Sequence, residues 1–235
     1  MAGAAGVGLL LGTGGNGGVV LAETRIPSGI ASLLIAVSPL LVALISLALF
    51  RVAIRRVQAA GMVLGFVGLA VLAQLSGPGG LDPIGLAFGL AGAVLWSAGS
   101  VYGSRAQLPE SDLVNTGIQL LAGGLGLLLA GLIAGEPARM RLDHASAQSV
   151  GGLIYLIVFG SVIAYSAFTW LLRNGPLPLV FTYVYVNPVV AVGLGALILG
   201  EHIGLRELLG GAIILAGVAT IVTGRAISER LRPAA

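Results

Sequence analysis

The stretch from residue 27 to residue 50 reads PSGIASLLIAVSPLLVALISLALF and contains no charged residue. A run of about 20 apolar residues is long enough for a helix to cross the hydrocarbon core of a bilayer. Seven further runs meet this test: residues 4–22, 57–76, 83–103, 113–134, 149–172, 175–200 and about 205–224. None has a charge near its middle, where Arg or Asp costs about 2.5 to 3.5 kcal/mol. The sequence therefore predicts an all-α integral membrane protein with about eight transmembrane helices.

The composition of the chain also indicates lipid surroundings. It is 57% hydrophobic and 9% charged, with a mean hydropathy of +1.04, whereas a soluble domain carries about 25% charged residues. Cysteine is absent, which excludes disulfides, thiolate metal sites and cysteine nucleophiles. All twelve basic residues are arginines placed between the apolar runs, a pattern typical of membrane-flanking anchors. We therefore expect the lipid bilayer as a partner and no nucleic acid.

The arginines are unevenly divided between alternate breaks in the apolar runs. One set of breaks holds eight and the other four. The larger set is Arg51, Arg55, Arg56, Arg105, Arg173, Arg225, Arg230 and Arg232, and the smaller set is Arg25, Arg139, Arg141 and Arg206. The positive-inside rule then predicts that the N-terminus and the C-terminus both lie in the cytoplasm. Residues 20–22 resemble a signal-peptidase site, but no basic residue precedes them, so we interpret the first run as a span.

The chain aligns with itself at an offset of 149 residues. The matching pairs include Pro27 with Pro176, Pro39 with Pro188, Gly61 with Gly210 and Gly68 with Gly217. The offset covers five spans, an odd number, so matched helices would cross the bilayer in opposite directions. Such inverted-topology repeats are typical of secondary transporters, although duplication in a membrane protein without a transport role would leave the same trace.

The repeat predicts a division of the chain into three parts. Residues 1–76 form a partial first repeat of three spans, residues 83–224 a complete second repeat of five spans, and residues 225–235 a cytoplasmic tail. The arrangement reads as an incomplete three-plus-five form of a ten-helix plan, so we expect partners for two helices of the second repeat to lie upstream of Met1.

Several short motifs resemble one family of membrane proteins. Residues 26–40, IPSGIASLLIAVSPL, and the VNPV of residues 186–189 resemble a helix of the EamA-type family in the drug/metabolite transporter superfamily. The GE of residues 200–201, the LLGG of residues 208–211 and the LAGV of residues 215–218 are similar to its C-terminal ending. The resemblance implies a ten-helix carrier, built of two five-helix repeats, that moves metabolites, amino acids or drugs across the bacterial inner (plasma) membrane.

These observations favour a transporter that moves small solutes by alternating access. The alternative is a truncated or helper membrane subunit that does not transport alone. An intramembrane enzyme would need Ser/His, Asp/Asp or metal-ligand sets within the spans, and the sequence has none. We therefore expect no enzymatic activity, no cofactor and no metal site. Glycines in small-xxx-small spacing predict close helix packing within the chain, with a homodimer as a second possibility.

Two prolines are predicted to kink their helices near the middle of the membrane. Proline has no N–H, so Pro39 and Pro188 leave the carbonyl groups of Ile35 and Val184 without a helical partner. In lipid these carbonyls must find a neighbouring helix or a water-filled cavity. Pro39 and Pro188 are thus candidates for paired hinges that line the transport path, and packing kinks are the alternative.

Polar and aromatic residues within the spans are candidates for the wall of a substrate cavity. Tyr183 and Asn187 lie four residues apart on one helix face, and Asn16 aligns with Tyr165 at the 149-residue offset. The full set is Asn16, Trp96, Ser100, Gln119, Tyr165, Tyr183 and Asn187. Such groups could recognise a neutral or zwitterionic small-molecule solute. Each could instead form an interhelical hydrogen bond, worth about 0.6 kcal/mol.

Overall fold

The regular structure of this chain is helical. The computed structural model describes residues 1–26, 28–51, 55–72, 82–139, 146–187, 189–190, 197 and 205–230, and no strand occurs among them. The helices are α1 (Ala2–Glu23), α2 (Ser28–Ile35), α3 (Ser38–Phe50), α4 (Arg56–Leu72), α5 (Pro83–Gly103), α6 (Asp112–Ile133), α7 (Ala147–Asn174), α8 (Leu177–Asn187) and α9 (Leu205–Arg230). Pro188 and residues 231–235 lie outside the described residues. The prediction of an all-helical protein is confirmed for the part described.

Four helices are long and apolar enough to cross a membrane: α1, α5, α6 and α7. The shorter apolar helices are α3, α8 and the segment Leu208–Ile221 of α9. Many apolar side chains of α6 and α7 are exposed, Leu121 and Leu125 among them. An exposed apolar face of this extent is stable in lipid and unfavourable in water. The protein therefore crosses the membrane several times, while the number of eight spans stays a prediction.

The apolar run of residues 27–50 is divided into two helices. A turn at residues 36 and 37 separates α2 from α3, and Pro39 occupies the first turn of α3. Proline is tolerated there because the first N–H groups of a helix have no intrahelical partner. The backbone N–H groups of Leu40 and Leu41 both donate to the carbonyl of Val37, at 3.0 Å. The helix is thus interrupted at residues 36 and 37, just before the proline from which a kink is predicted.

Helix α1 lies between α5 and α6 at a distance that only glycine permits. A Cβ atom added at Gly18 would lie 2.7 Å from the Cα atom of Gly92 in α5, and one at Gly12 would lie 2.8 Å from that of Gly123 in α6. Small residues let helix backbones approach closely where lipid supplies no hydrophobic drive for association. The packing of α1 therefore depends on glycines in all three helices.

Helices α4 and α9 form a second close pair. A Cβ atom added at Gly61 would lie 2.8 Å from the carbonyl oxygen of Gly217, and one at Gly68 would lie 2.9 Å from that of Gly210. As residue numbers rise along α4 they fall along α9, so the two helices are antiparallel. Tyr185 of α8 packs onto the same pair, against Gly65.

An ion pair joins the end of α1 to the start of α5. Asp82 caps α5 by accepting from the backbone N–H of Ile84 at 2.7 Å and of Gly85 at 3.3 Å, and Arg25 donates to its second oxygen at 3.2 Å. The hydrogen bond from Ile84 does most to lower the pKa of Asp82 below its ordinary 3.8. Desolvation opposes this shift, while the bond from Gly85 and the charge of Arg25 add to it.

The contact between α4 and α9 can be tested with two glycines of one helix. In Gly217→Ala the new Cβ atom would lie 2.7 Å from the backbone nitrogen of Gly65. In Gly211→Ala its nearest neighbour is a side-chain carbon of Val189 at 3.8 Å, an ordinary contact. We expect Gly217→Ala to lower the free energy of unfolding by about 1 to 3 kcal/mol, the usual cost of overpacking, and Gly211→Ala to leave it unchanged or raise it. Thermal unfolding in detergent micelles measures both, and equal effects would contradict the close approach.

Candidate functional site

A cavity of about 740 Å³ lies among α1, α5, α6, α7 and α8. All five helices contribute side chains to its wall. From α1, α5 and α6 these are Gly12, Asn16, Trp96, Gln119, Leu120, Gly123, Gly124 and Leu127. From α7 and α8 they are Leu156, Gly160, Ser161, Ala164, Tyr165, Ala167, Phe168, Leu171, Val180, Tyr183 and Asn187. We call this space the central cavity.

Six of the seven predicted cavity residues line the central cavity: Asn16, Trp96, Gln119, Tyr165, Tyr183 and Asn187. The seventh, Ser100, is fully buried and does not line it; its hydroxyl donates to the carbonyl of Trp96 at 2.8 Å. Pro39 lines a different cavity, and Pro188 lies outside the described residues. The structure thus brings together residues that are up to 171 positions apart in the sequence, while their role with a substrate stays a prediction.

The aromatic part of the wall is organised around Phe168 of α7. Its ring is stacked with Trp96, with centroids 5.5 Å apart, and meets Tyr183 edge-on at 5.6 Å. The rings of Tyr165 and Phe181 lie at 6.4 and 6.3 Å. Aromatic pairs in such arrangements contribute about 0.5–1.5 kcal/mol beyond their buried area. The cluster therefore fixes one side of the cavity and offers flat, polarisable faces to a bound molecule.

The polar side of the wall is held by a chain of hydrogen bonds. Tyr165 donates to the Oε1 atom of Gln119 at 2.9 Å, and the Nε2 atom of Gln119 donates to Asn115 at 2.9 Å. Beside them, the hydroxyls of Thr116 and Thr169 are 2.9 Å apart and share one hydrogen bond. Asn115 and Gln119 are buried, so their partners remove most of the cost of placing amides in an apolar interior. The bonds between Tyr165 and Gln119 and between Thr116 and Thr169 join α6 to α7 beside the central cavity.

Other polar groups at the cavity lack a well-formed partner within the described residues. The Nε1–H of Trp96 is buried beside the Tyr183 hydroxyl, in a geometry too poor for a full hydrogen bond. Asn16 and Asn187 are exposed, and their side chains make none within the described residues. A ligand that accepts from Trp96 in better geometry would therefore gain a hydrogen bond.

The central cavity carries no formal charge among its described lining residues. No group of three His, Asp or Glu side chains that could hold a metal ion occurs in the part of the chain that the structure describes. The wall offers ring faces, amide groups and an indole N–H, and these can bind a small solute by stacking and hydrogen bonding. A solute with a net charge would lie there without a counter-charge from these residues.

Two features of the site went unnoticed in the sequence. Phe168 lies three residues after Tyr165, so the helical period places both on one face, and this spacing could have identified it. Asn115 similarly lies four residues before Gln119. The second feature is a π-helical stretch in each of two helices, Leu9–Asn16 in α1 and Leu156–Ala164 in α7. No local sequence pattern predicts these stretches. Short π-helical segments are frequent at functional sites.

Comparison with known proteins gives one family. The sequence model of the EamA-like transporter family matches residues 83–223. The chain is 38% identical over 223 residues to the uncharacterized inner membrane transporter YedA of Escherichia coli K12, covering 93% of this chain and 70% of YedA. It is 28% identical over 200 residues to protein PecM of Dickeya dadantii, covering 84% of this chain and 65% of PecM.

A solved structure shares the fold. A chain described only as a crystal structure of a protein superposes with a TM-score of 0.78 over 99% of this chain and 78% of the other. The sequences are 23% identical, so the likeness bears on the arrangement of helices and not on what is bound.

The hydrogen bond between α6 and α7 can be measured with a matched pair of variants. Tyr165→Phe removes the hydroxyl that donates to Gln119. Tyr155→Phe makes the same chemical change in the same helix, at a ring that is 60% exposed and makes no hydrogen bond in the described residues. We expect Tyr165→Phe to lower the free energy of unfolding by about 0.6 kcal/mol, the average for bonds between membrane helices, and by at most about 1.7 kcal/mol. We expect Tyr155→Phe to leave it unchanged. Equal values for the two variants in detergent micelles would show that the bond contributes nothing.

Proposed function

The chain belongs to the EamA-like transporter family, and from that membership we propose that it carries small uncharged or zwitterionic organic solutes by alternating access. It is a membrane transporter, and its relatives YedA and the family as a whole bear that description. Membership also favours a carrier over the alternative of a helper subunit that does not transport alone.

The observation that carries the proposal is the central cavity. Its wall combines aromatic rings and amides from five helices, inside a protein whose outer faces are apolar. Ligand sites are typically concave and mostly apolar, with a few polar groups that fix orientation. A polar cavity among membrane helices is costly to maintain, and a solute pathway is the use that such cavities most often serve.

The inverted repeat is supported by the pair of α4 and α9. The 149-residue offset matches Gly61 with Gly210 and Gly68 with Gly217. The contacts join Gly61 to Gly217 and Gly68 to Gly210. A twofold axis between the repeats produces this exchange, in which each residue touches the counterpart of its neighbour. We propose that these helices lie on the axis about which the two repeats are related.

The π-helical stretches support the same relation. An offset of 149 places residues 9–16 on residues 158–165, which overlaps the stretch Leu156–Ala164 of α7. Asn16 ends the first stretch, and its counterpart Tyr165 directly follows the second. Both residues line the central cavity. We infer that each repeat contributes one widened helical turn, and after it one polar side chain, to the solute site.

Movement of the repeats is expected to bend the chain where helix hydrogen bonds are already missing. The turn at residues 36–37 and Pro39 provide such a point between α2 and α3. Pro39 is buried against the rest of the protein. Bending at this point would therefore also move the residues that pack against it. We propose Pro39 as a hinge and Pro188 as its counterpart in the second repeat.

The proposed orientation can be tested directly because the chain contains no cysteine. Glu110 and Glu136 are exposed and flank α6. If α6 crosses the membrane and the arginine-rich side is cytoplasmic, Glu136→Cys reacts with a membrane-impermeant maleimide in intact cells. Glu110→Cys then reacts only after the inner membrane is opened. Labelling of both positions from one side would contradict the span, and the reverse pattern would contradict the orientation.

Transport is tested with purified protein in proteoliposomes and a broad panel of metabolites and drugs. We expect uptake or release of at least one uncharged or zwitterionic solute. Asn187→Leu should raise the KM for that solute about threefold to tenfold, since it loses about one hydrogen bond. Asn174→Leu is the matched control, because Asn174 lies outside the central cavity and, within the described residues, its side chain bonds to the carbonyl of Trp170 alone.

Binding is followed separately from transport through tryptophan fluorescence. The chain has two tryptophans, so Trp170→Phe leaves Trp96 in the cavity wall as the only reporter. The transported solute should change its emission, and Asn187→Leu should shift the titration as it shifts the KM. Failure of the intact protein to move any solute of the panel would overturn the proposed function.

A further inference from the structure

A second cavity, of about 310 Å³, lies at the arginine-rich end of the helices. One wall is a stripe of α3 that runs from Pro39 through Val42, Ala43 and Ser46 to Phe50. These residues follow the helical period, so they lie on one face. The stripe is about 16 Å long at 1.5 Å per residue. A small volume spread over this length is a narrow slot, and we call it the terminal slot.

The terminal slot is apolar inside and cationic at its mouth. Met62, Val101 and Leu172 line it and are almost completely buried. Arg105 and Arg173 line its outer part, beside the ends of α5 and α7. A ligand that fits both regions needs a slender apolar body and an anionic head.

The two arginines differ in whether their guanidinium groups already have hydrogen-bond partners. Arg173 donates to Asp112 at 2.6 Å and to the carbonyl of Pro109 at 3.1 Å. The guanidinium of Arg105 lies 4.7 Å from the ring centre of Phe50 and makes neither an ion pair nor a hydrogen bond within the described residues. Arginine stacked on an aromatic ring keeps its N–H groups free for a carboxylate or a phosphate. Arg105 is therefore the available anion-binding group of the slot.

We propose that the terminal slot binds an anionic phospholipid, with an acyl chain along the α3 stripe and the phosphate at Arg105. A bilayer supplies such a molecule at high local concentration, and basic pockets between membrane helices are known sites for anionic head groups. Arg51, Arg55 and Arg56 lie near this end and are exposed, so they add to the attraction. The inference goes beyond the transport function and stands without it.

A lipid bound in the terminal slot would contact two groups of helices at once. Its walls come from α3 and α4 on one side and from the ends of α5, α7 and α8 on the other. Pro39, the proposed hinge, forms the inner end of the stripe. A bound lipid would hold these two groups of helices at a fixed separation.

Native mass spectrometry of the purified chain in detergent tests the site. Phosphatidylglycerol and phosphatidylcholine with identical acyl chains are added at equal concentration, and the bound fractions are compared. We expect phosphatidylglycerol to be preferred and Arg105→Gln to lower its affinity about fivefold, the factor that one interfacial arginine supplies. Arg25→Gln is the control. Arg25 is paired with Asp82 at the start of α5, whereas Arg105 follows the opposite end of that helix.

A second variant separates the slot from a general attraction to positive charge. Ser46→Leu fills the slot and leaves every arginine in place, so it should also lower phosphatidylglycerol binding. The melting temperature of each variant shows whether it is folded. Undiminished binding by Ser46→Leu, equal losses in Arg105→Gln and Arg25→Gln, or no preference for phosphatidylglycerol would each overturn the proposal. Binding of dodecanoate with the same dependence on Arg105, when phosphatidylglycerol does not bind, would overturn the assignment to a phospholipid.

Discussion

The close approach of helix backbones at glycine is the constraint on which this structure depends. Lipid chains are as apolar as the side chains they surround, so burial of leucine gains little and helices associate through close packing and hydrogen bonds. At Gly8 an added Cβ atom would overlap the backbone of Gln119. Gln119 is also the central member of the hydrogen-bond chain to Tyr165 and Asn115. The glycine contact therefore sets the position of the residue that organises the polar side of the central cavity.

The polar groups of the cavity divide into those that hold the wall and those that remain available. Gln119 bonds to Asn115 within α6 and to Tyr165 of α7, and Thr116 of α6 bonds to Thr169 of α7. These groups connect the two helices and have little left to offer a ligand. Trp96 is stacked on Phe168, yet its N–H makes no full hydrogen bond with the neighbouring Tyr183. A solute can therefore bind to the available groups and leave them again without breaking the bonds that hold α6 to α7.

Hydropathy and spacing predicted the helical membrane fold and six of the residues that line the central cavity, because each signal is local. An uninterrupted apolar run specifies a span, and a polar residue within it must face protein or water. Ser100 shows the limit: it shares a helix face with Trp96, but its hydroxyl bonds to the backbone one turn earlier. Pro39 predicted an interruption of its helix, and the structure places the break at residues 36–37. The π-helical stretches and the terminal slot depend on which helices meet, and a single sequence carries no direct signal for such contacts.

The two cavities share a boundary, and that boundary bears on how a solute could pass. Leu172 lines the terminal slot and Val180 lines the central cavity, while Phe181 is completely buried in the same apolar cluster. Phe181 also packs against Phe168, the centre of the aromatic wall. Leu172, Val180 and Phe181 therefore form an apolar layer between the central cavity and the terminal slot. Val180, Phe181 and Tyr183 lie within about one turn of α8, so a shift of that helix would move the layer and the cavity wall together. The proposed alternating access requires a motion of this kind, in which the solute site and the layer beside it change at the same time.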